Sequence, residues 1–368
     1  MKANILDGLG AGIARVAGAR RKGGLNGILA RTALMLFAST LSYAHASAQP
    51  QALEKTSIEL VAVRDAQLGA QVAVADALGL FKKQGLDVKV NWTQSGADVI
   101  TIMAGGSQYL ATAGAFNQLV LTNQNVPVEI ISALADMAGT QGIGLRPGLT
   151  LKSPKELEGK KFSYTQGTPH VLVLATLAKR FGVDMSKVTL VNLDPSEGVI
   201  ATARGDVDGF LGPQPYLYRL TKMGGSIYAT GKELDITDKP QPLSMENQLL
   251  YMHSVLLGRK DWVASNPHTT EAVLRALLEA TDIINKDRPK AIDVIQKLLK
   301  LDTGAVEQMM GQNKYDLTLD ASVATSITFL SDWGVNIKRL PRAVKPGEVV
   351  DPSFLKAVNP KLVDWKKL

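Results

Sequence analysis

The sequence predicts an α/β protein built as two lobes, and three observations lead to this fold class. The chain of 368 residues is longer than one hydrophobic core usually supports, since cores stop growing near about 250–300 residues. Hydrophobic residues make up 45% and charged residues 20%, as in ordinary soluble globular chains. From residue 57 onward, strand, polar loop and apolar helix follow one another repeatedly, which is typical of a mostly parallel sheet.

Residues 1–48 have the pattern of a secretory signal peptide. A basic region is followed by a short apolar core that begins at residues 33–38, and then by two overlapping Ala-x-Ala frames that end at Ala46 and Ala48. The pattern predicts export to the periplasm with cleavage near one of these alanines. Two alternatives are an uncleaved anchor helix, for which the core is short, and twin-arginine export through Arg20-Arg21.

Most of the positive charge belongs to this leader. The net charge is +7, but residues 1–48 carry six basic side chains and one acidic side chain, which leaves +2 for residues 49–368. A nearly neutral mature chain predicts no nucleic-acid partner. The sequence contains no cysteine, which excludes disulfides and cysteine nucleophiles. His170, His253 and His268 lack the spacing of metal ligands, so no metal or cofactor is predicted.

Polar loops follow the predicted strands of the first lobe, residues 57–145. The strands cover residues 58–63, 88–92 and 110–112, and ligands bind at the carboxyl ends of such strands. Arg64 offers a guanidinium that can grip a carboxylate or sulfonate, unless it forms a surface ion pair with Asp65. The candidate ligand residues of this lobe are Arg64, Gln67, Ser95, Gly96 and Ala115.

A second set of α/β units follows an exit at about residues 145–148, so residues 146–245 are assigned to the second lobe. Ser153 is the expected N-cap of a helix that has Pro154 in its first turn and Glu156 three positions on. A strand then runs into a turn before an apolar helix, where free backbone N–H groups and the helix dipole favour an anion. The alternative is an ordinary capped turn. The candidates here are Thr165, Gln166, Gly167, Thr168, His170 and, after a later strand, Gln214.

The chain returns to the first lobe through an apolar strand at residues 248–257, and residues 246–368 supply it and the C-terminal helices. Gln67 and Gln214 carry neutral amides that both donate and accept hydrogen bonds, which suits a polar ligand and a protein surface equally. Phe116 is either an apolar wall of the ligand cleft or a core residue.

Four segments in order resemble a known family. Residues 153–162 (SPKELEGKKF) resemble its entry to the second lobe, and residues 166–170 (QGTPH) resemble its ligand-binding turn. Residues 204–210 (RGDVDGF) and 259–267 (RKDWVASNP) resemble two later motifs. The family is that of the sulfonate-, taurine- and nitrate-binding proteins, the NMT1/THI5-like superfamily, and the likeness covers nearly the whole mature chain.

The resemblance implies a type II periplasmic-binding-protein fold, in which two lobes joined by a hinge close over a ligand. It implies a monomer that delivers a small organic anion to an ABC permease in the inner membrane. Taurine and sulfonate binders tend to have carboxylates where this chain has Ala115 and Gln214. A carboxylate suits an ammonium and disfavours an anion, so the predicted ligand is an anion without an amine.

Two other functions remain open at this point. A ligand-presenting sensor would use the same cleft with a different membrane partner. Relatives with this fold also include pyrimidine synthases of thiamin formation, which use cysteine chemistry that this chain lacks, so a thiamin-precursor enzyme is disfavoured and a binding protein is expected.

Overall fold

The computed structural model describes residues 52–235 and 241–365, which belong to one compact unit. The predicted signal peptide, residues 1–48, lies outside the described residues. Two β-sheets form the frameworks of two lobes, in agreement with the predicted fold class. Within the described part of the chain, no helix is both long and apolar enough to cross a membrane.

The first lobe is built on a six-stranded sheet with the order β13-β4-β12-β3-β1-β2. Its strands are β1 (Ser57–Val63), β2 (Asp87–Thr93), β3 (Leu110–Gly114), β4 (Val128–Asp136), β12 (His253–Arg259) and β13 (Lys314–Tyr315). The intervening helices are α1 (Ala70–Ala77), α2 (Leu80–Lys83), α3 (Gly96–Ala104) and α4 (Ala115–Asn123).

The second lobe is built on a seven-stranded sheet with the order β11-β10-β9-β5-β8-β6-β7. Its strands are β5 (Gln141–Leu145), β6 (Lys161–Tyr164), β7 (Thr189–Asn192), β8 (Gly209–Pro213), β9 (Ser226–Thr230), β10 (Glu233–Leu234) and β11 (Gln241–Pro242). Three helices cover it: α5 (Val171–Phe181), α6 (Pro195–Arg204) and α7 (Tyr216–Lys222).

The chain after β12 is mainly helical, as predicted, and adds the short strand β13 to the first sheet. Its helices are α8 (Lys260–Ser265), α9 (Pro267–Lys286), α10 (Arg288–Leu299), α11 (Thr303–Gly311), α12 (Ala321–Asn336), α13 (Pro346–Val349) and α14 (Ser353–Val358). The long helix α9 buries one face, with Val273, Leu274 and Leu277 inaccessible to solvent. Burial of this apolar stripe, at the helical spacing, is what fixes α9 to the first lobe.

The sheets are mixed, so the expectation of mostly parallel strands is wrong in part. The pairs β1–β2, β1–β3, β6–β7 and β6–β8 are parallel. In contrast, β12 lies antiparallel between β3 and β4, because it brings the chain back from the second lobe. Strands β3 and β4 therefore run in the same direction, and their carboxyl ends meet the amino end of β12 at one edge.

The first crossing between the lobes is earlier than the sequence suggested. The predicted boundary at residues 145–146 is wrong, because β5 (Gln141–Leu145) already pairs with β8 and β9 of the second sheet. The crossing is the short segment from Met137 to Thr140. The sequence pattern assigns Gly142 and Gly144 to the first lobe. In the structure they pack against the second lobe, where a Cβ at Gly144 would lie 2.5 Å from the Leu220 side chain of α7.

Ser153 stands at the predicted N-cap position, with Pro154 in the first turn, but the expected helix is shorter than predicted. Residues Pro154–Leu157 form a single 3₁₀ turn, and the Ser153 side chain makes no capping hydrogen bond. The Lys155 and Lys187 ammonium groups instead contact Glu158, at 2.6 and 3.1 Å, and tie this turn to the strand that follows α5. The motif is therefore a surface turn and not the start of an α-helix.

The first crossing lies in direct contact with the loop after β9 and with the returning chain, where the Met137 N–H donates to the Met252 carbonyl at 2.9 Å. The Gly231 N–H, which follows β9, donates to the Ala138 and Gln141 carbonyls of the first crossing. A Cβ at Gly231 would lie 2.4 Å from the Ala138 carbonyl oxygen. An ion pair of 2.7 Å between Asp136 and Lys232 adds a side-chain link across the same contact. Glycine at position 231 is therefore required by close backbone approach.

We expect the substitution Gly231→Ala to lower the free energy of unfolding by roughly 1–3 kcal/mol, because a carbonyl and not a flexible side chain must move. Thermal and urea unfolding of the purified protein measure the change. Gly311→Ala is the matched control, since nothing lies within 4 Å of its added Cβ. Equal stability of the parent and Gly231→Ala would contradict this account of the hinge.

Candidate functional site

The candidate site is formed by the loops that leave the carboxyl ends of the strands in both sheets. In the first lobe these loops follow β1, β2 and β3, and in the second lobe they follow β6 and β8. Because β5 is antiparallel to β8, the first crossing joins the carboxyl edge of one sheet to the carboxyl edge of the other. The two sets of loops therefore border one cleft, beginning at the hinge.

Arg64 lies at the first of these loops and is exposed. Its backbone N–H donates to the Thr93 carbonyl at 2.9 Å, which ties the loop after β1 to the end of β2. Within residues 52–235 and 241–365, its guanidinium forms no hydrogen bond or ion pair. The guanidinium is thus an unneutralised cation at the edge of the cleft, free to bind an anion bidentately.

Asp65 does not pair with Arg64, so the surface ion pair is ruled out. Its Oδ1 accepts hydrogen bonds from the backbone N–H groups of Gln67 and Leu68 and thereby shapes the turn into α1. Burial raises the pKa of the Asp65 carboxyl to about 6, and these backbone hydrogen bonds offset only part of the rise. The carboxyl gains and loses its proton in the mildly acid range.

The loop after β2 is a capping box at the start of α3. The Ser95 Oγ accepts from the Asp98 N–H, and the Asp98 carboxylate accepts from the N–H groups of Ser95 and Gln94. The Ser95 N–H is therefore occupied, while the Ser95 hydroxyl hydrogen and the Gly96 N–H, from the two predicted residues, remain available. A Cβ at Gly96 would lie 2.6 Å from Asn117 Oδ1, so glycine leaves room for Asn117.

Asn117 was not predicted and belongs to the same corner of the site. Its Oδ1 accepts from the Gly114 N–H at 3.0 Å, which orients the amide between the loops after β2 and β3. Its Nδ2 hydrogens have no acceptor among the described residues. An Asn three positions after a strand end is only weak evidence of a binding residue in the sequence. Its place in the site depends on Gly96, which belongs to a distant loop.

The start of α4 offers no side chain from Ala115 or Phe116 to a ligand in the cleft. Ala115 is fully buried, so its side chain is not accessible to a ligand. Phe116 is 8% exposed and packs on Trp333, with ring centroids 5.0 Å apart, which makes it a core residue and not a cleft wall. A Cβ added at Gly114 would lie 3.2 Å from Asn117 Oδ1, and 3.6 and 3.9 Å from the methyl groups of Met137 and Met252.

The turn after β6 leaves two of its backbone N–H groups free and uses its hydroxyls internally. Thr165 Oγ1 donates to the Leu193 carbonyl, and Thr168 Oγ1 donates to the Thr165 carbonyl. The Gln166 N–H donates to Asn192 Oδ1. In the described part of the chain, the N–H groups of Gly167 and His170 have no acceptor. Gly167 has φ of 79°, a conformation that favours glycine.

His170 stands at the N-cap position of α5. Burial lowers the pKa of its imidazole to about 4, so the ring is neutral at pH 7. Its Nδ1 atom is buried without a hydrogen-bond partner in the described structure. His170 therefore offers a neutral donor or acceptor next to a free helix N-terminus, and not a positive charge.

Gln67 and Gln214 are brought together, but their side chains form hydrogen bonds with other residues of the protein. Gln67 Nε2 donates to the Gln214 carbonyl at 3.2 Å, and Gln67 Oε1 accepts from Gln141 Nε2 at 3.2 Å. The Gln214 amide donates to Gln312 Oε1 and accepts from the Tyr218 N–H. Both side chains are committed to the hinge side of the cleft in this structure and are not free for a ligand.

A pocket of about 450 Å³ lies elsewhere, at the amino ends of β1 and β3. Its lining includes Lys55, Glu59, Tyr109 and Trp262 and none of the predicted ligand residues. The two aromatic rings stack with centroids 5.7 Å apart. This pocket is at the opposite end of the first sheet from the cleft loops.

Comparisons with known proteins place this chain in a family. The family model described as NMT1/THI5 like matches residues 69–291. The taurine-binding periplasmic protein of Escherichia coli K12 is 27% identical over 274 residues, which cover 73% of this chain and 79% of that protein. A more distant relative, the 4-amino-5-hydroxymethyl-2-methylpyrimidine phosphate synthase of Aspergillus parasiticus, is 23% identical over 58% of this chain and 62% of its own length.

Among solved structures, the periplasmic aliphatic sulphonate binding protein SsuA of Escherichia coli superimposes with a TM-score of 0.69 at 16% identity. The superposition covers 81% of this chain and 92% of that one. This likeness confirms the predicted two-lobed periplasmic-binding-protein fold. The family match, which spans more than half of the sequence, identifies the chain as a member of the NMT1/THI5-like family.

Proposed function

We propose that this protein is the exported solute-binding component of an ABC importer and that it captures a small organic anion, a sulfonate or a carboxylate. The observation that carries the proposal is the exposed, unpaired guanidinium of Arg64 at the edge of a cleft. The opposite lobe offers the free N–H groups of Gly167 and His170. A cation on one side and convergent backbone donors on the other are complementary to an anion.

Closure of the lobes would bring these donors onto one ligand. An anion held by Arg64 alone gains the second set of contacts only when the second lobe approaches, so the ligand favours the closed state by its differential affinity. The permease in the inner membrane would recognise that closed state. The proposal places the mature protein in the periplasm, as a monomer, with residues 1–48 as its cleaved export signal.

An anion without an amine remains the favoured ligand class. The resemblance implies carboxylates at positions 115 and 214 in taurine and sulfonate binders, and this chain has none there, while Asn117 adds a neutral donor to the first lobe. Binding is favoured over catalysis because the relative of highest similarity described above is named as a binding protein. A sensor with the same cleft differs only in its membrane partner, and no feature of the described residues favours it.

A thermal-shift screen of residues 49–368 tests the proposal. A ligand that binds only the native state raises the melting temperature. We expect ethanesulfonate or an aliphatic or aromatic carboxylate to stabilise the protein more than taurine does. Stabilisation by taurine or by a neutral pyrimidine in preference to every amine-free anion would contradict the proposed ligand class.

Arg64→Ala should weaken binding of the stabilising anion by roughly 10- to 100-fold, because charge-assisted hydrogen bonds contribute about 1.5–3 kcal/mol. Isothermal titration calorimetry measures the dissociation constant. Arg339→Ala is the matched control, since Arg339 is also exposed and its side chain has no partner among the described residues. Unchanged affinity in Arg64→Ala would remove Arg64 from the site.

Asp65→Asn should stabilise the protein at pH 7.5. The folded state holds the Asp65 proton more tightly than the unfolded state, with a pKa of about 6 against 3.8. Stability therefore falls as the pH rises from about 4 to 6, and the full penalty of the buried charge is present above that range. Unfolding by urea at several pH values should show a gain in Asp65→Asn at pH 7.5 that disappears near pH 4. A gain of equal size at both pH values would refute this origin.

A further inference from the structure

Three buried glutamine amides and one buried threonine form a chain that crosses from one lobe to the other beside the ligand loops. We call Gln67, Thr140, Gln141 and Gln214 the hinge amide cluster. Gln67 belongs to the loop after β1 in the first lobe, Thr140 and Gln141 lie at the first crossing, and Gln214 follows β8 in the second lobe. The four residues are 7%, 0%, 1% and 3% exposed, respectively.

The two bonds that the Gln67 side chain makes depend on how the lobes are oriented. The Gln67 side chain donates to the Gln214 carbonyl and accepts from Gln141, each at 3.2 Å, so it contacts the second lobe twice. The Gln214 N–H donates to the Thr140 carbonyl at 2.8 Å, which fixes the loop after β8 on the crossing. Gln214 Nε2 extends the chain to Gln312, at 2.9 Å, just beyond α11.

Burial makes these bonds selective for orientation. A buried amide that loses its partner is not compensated by water, so a rotation that separates Gln67 from Gln214 leaves unsatisfied polar groups. The amides therefore help to distinguish one lobe orientation from another, together with the ion pair between Asp136 and Lys232.

The cluster is also incomplete in this orientation. Gln141 Nε2 donates to Gln67 and to Thr140 Oγ1, but Gln141 Oε1 is buried and has no hydrogen-bond partner in the described structure. An orientation that supplies a donor to this oxygen would offset bonds lost elsewhere. Two arrangements of one buried network are what a two-state hinge requires.

We infer that Gln67 and Gln214 are positioning residues that set the orientation of the two lobes. Gln67 shares its loop with Arg64, so the loop that is proposed to hold the anion is itself tied to the second lobe. The inference rests on the proposed function only in assuming that a change of lobe orientation serves ligand capture. The bonds of Gln67 themselves are formed by residues of the chain alone.

The test measures the distance between the lobes without any ligand. Because the chain has no cysteine, Ala104→Cys on α3 and Ile200→Cys on α6, both exposed, give one spin label in each lobe. Pulsed electron paramagnetic resonance then yields the distribution of distances between the labels. In this background, Gln67→Leu should move a substantial part of the distribution away from the distance found with Gln67.

Gln118→Leu is the matched control, because Gln118 is an equally buried amide whose bonds to Val128 and Thr122 stay within the first lobe. It should lower the melting temperature and leave the distances unchanged. Gln67→Asn, which keeps an amide but is too short to reach, should act as Gln67→Leu does and serves if the leucine variant does not fold.

Superimposable distributions for the parent and the Gln67 variants would overturn the inference, as would an equal change in Gln118→Leu. Addition of ethanesulfonate to the labelled parent is a separate measurement of the proposed function. Its failure to shift the distances would count against the ligand class and would leave the result for Gln67 intact.

Discussion

The pairing of β12 between β3 and β4 is the interaction on which the rest of this structure depends. It makes the second lobe an insertion into the first, since β4 carries the chain out and β12 brings it back. His253 pairs with Asp136 where the two strands meet, and the Met137 N–H donates to the Met252 carbonyl. The two crossings must therefore lie side by side at the carboxyl edge of the first sheet.

This arrangement determines where ligand chemistry can be placed. Strands β1, β2 and β3 end at the same edge of the sheet from which the chain leaves for the second lobe. The loops that follow these strands therefore face a cleft that begins at the hinge. The charged and titratable side chains that border the cleft are arranged to favour an anion. Arg64 is left unpaired, Asp65 is turned inward onto backbone N–H groups, and burial lowers the pKa of His170 so that the imidazole is neutral at pH 7.

Sequence patterns predicted the features that depend on local periodicity. Alternating strands, polar loops and glycine-ended helices placed Arg64, Gly96 and the turn at Gly167 at strand ends, and the structure brings them to the cleft edges. Features that depend on distant contacts were predicted less well. The boundary of the first lobe was misplaced because Gly142 and Gly144 acquire their role only against Leu217 and Leu220 of α7.

The two glutamines show the same limit at the site. A neutral amide at a strand end is compatible with binding a ligand or with joining two lobes, and only the contact between Gln67 and the Gln214 carbonyl decides this for the present structure. Asn117 was missed for a similar reason, because its neighbour Gly96 comes from another loop.

The most direct test of the account is a crystal structure of the mature protein with the anion that stabilises it most. The account predicts one acidic group of the ligand held by the Arg64 guanidinium from the first lobe and by the Gly167 and His170 N–H groups from the second. A ligand bound to one lobe only, or bound without Arg64, would contradict the central claim that an anion is captured between the two lobes.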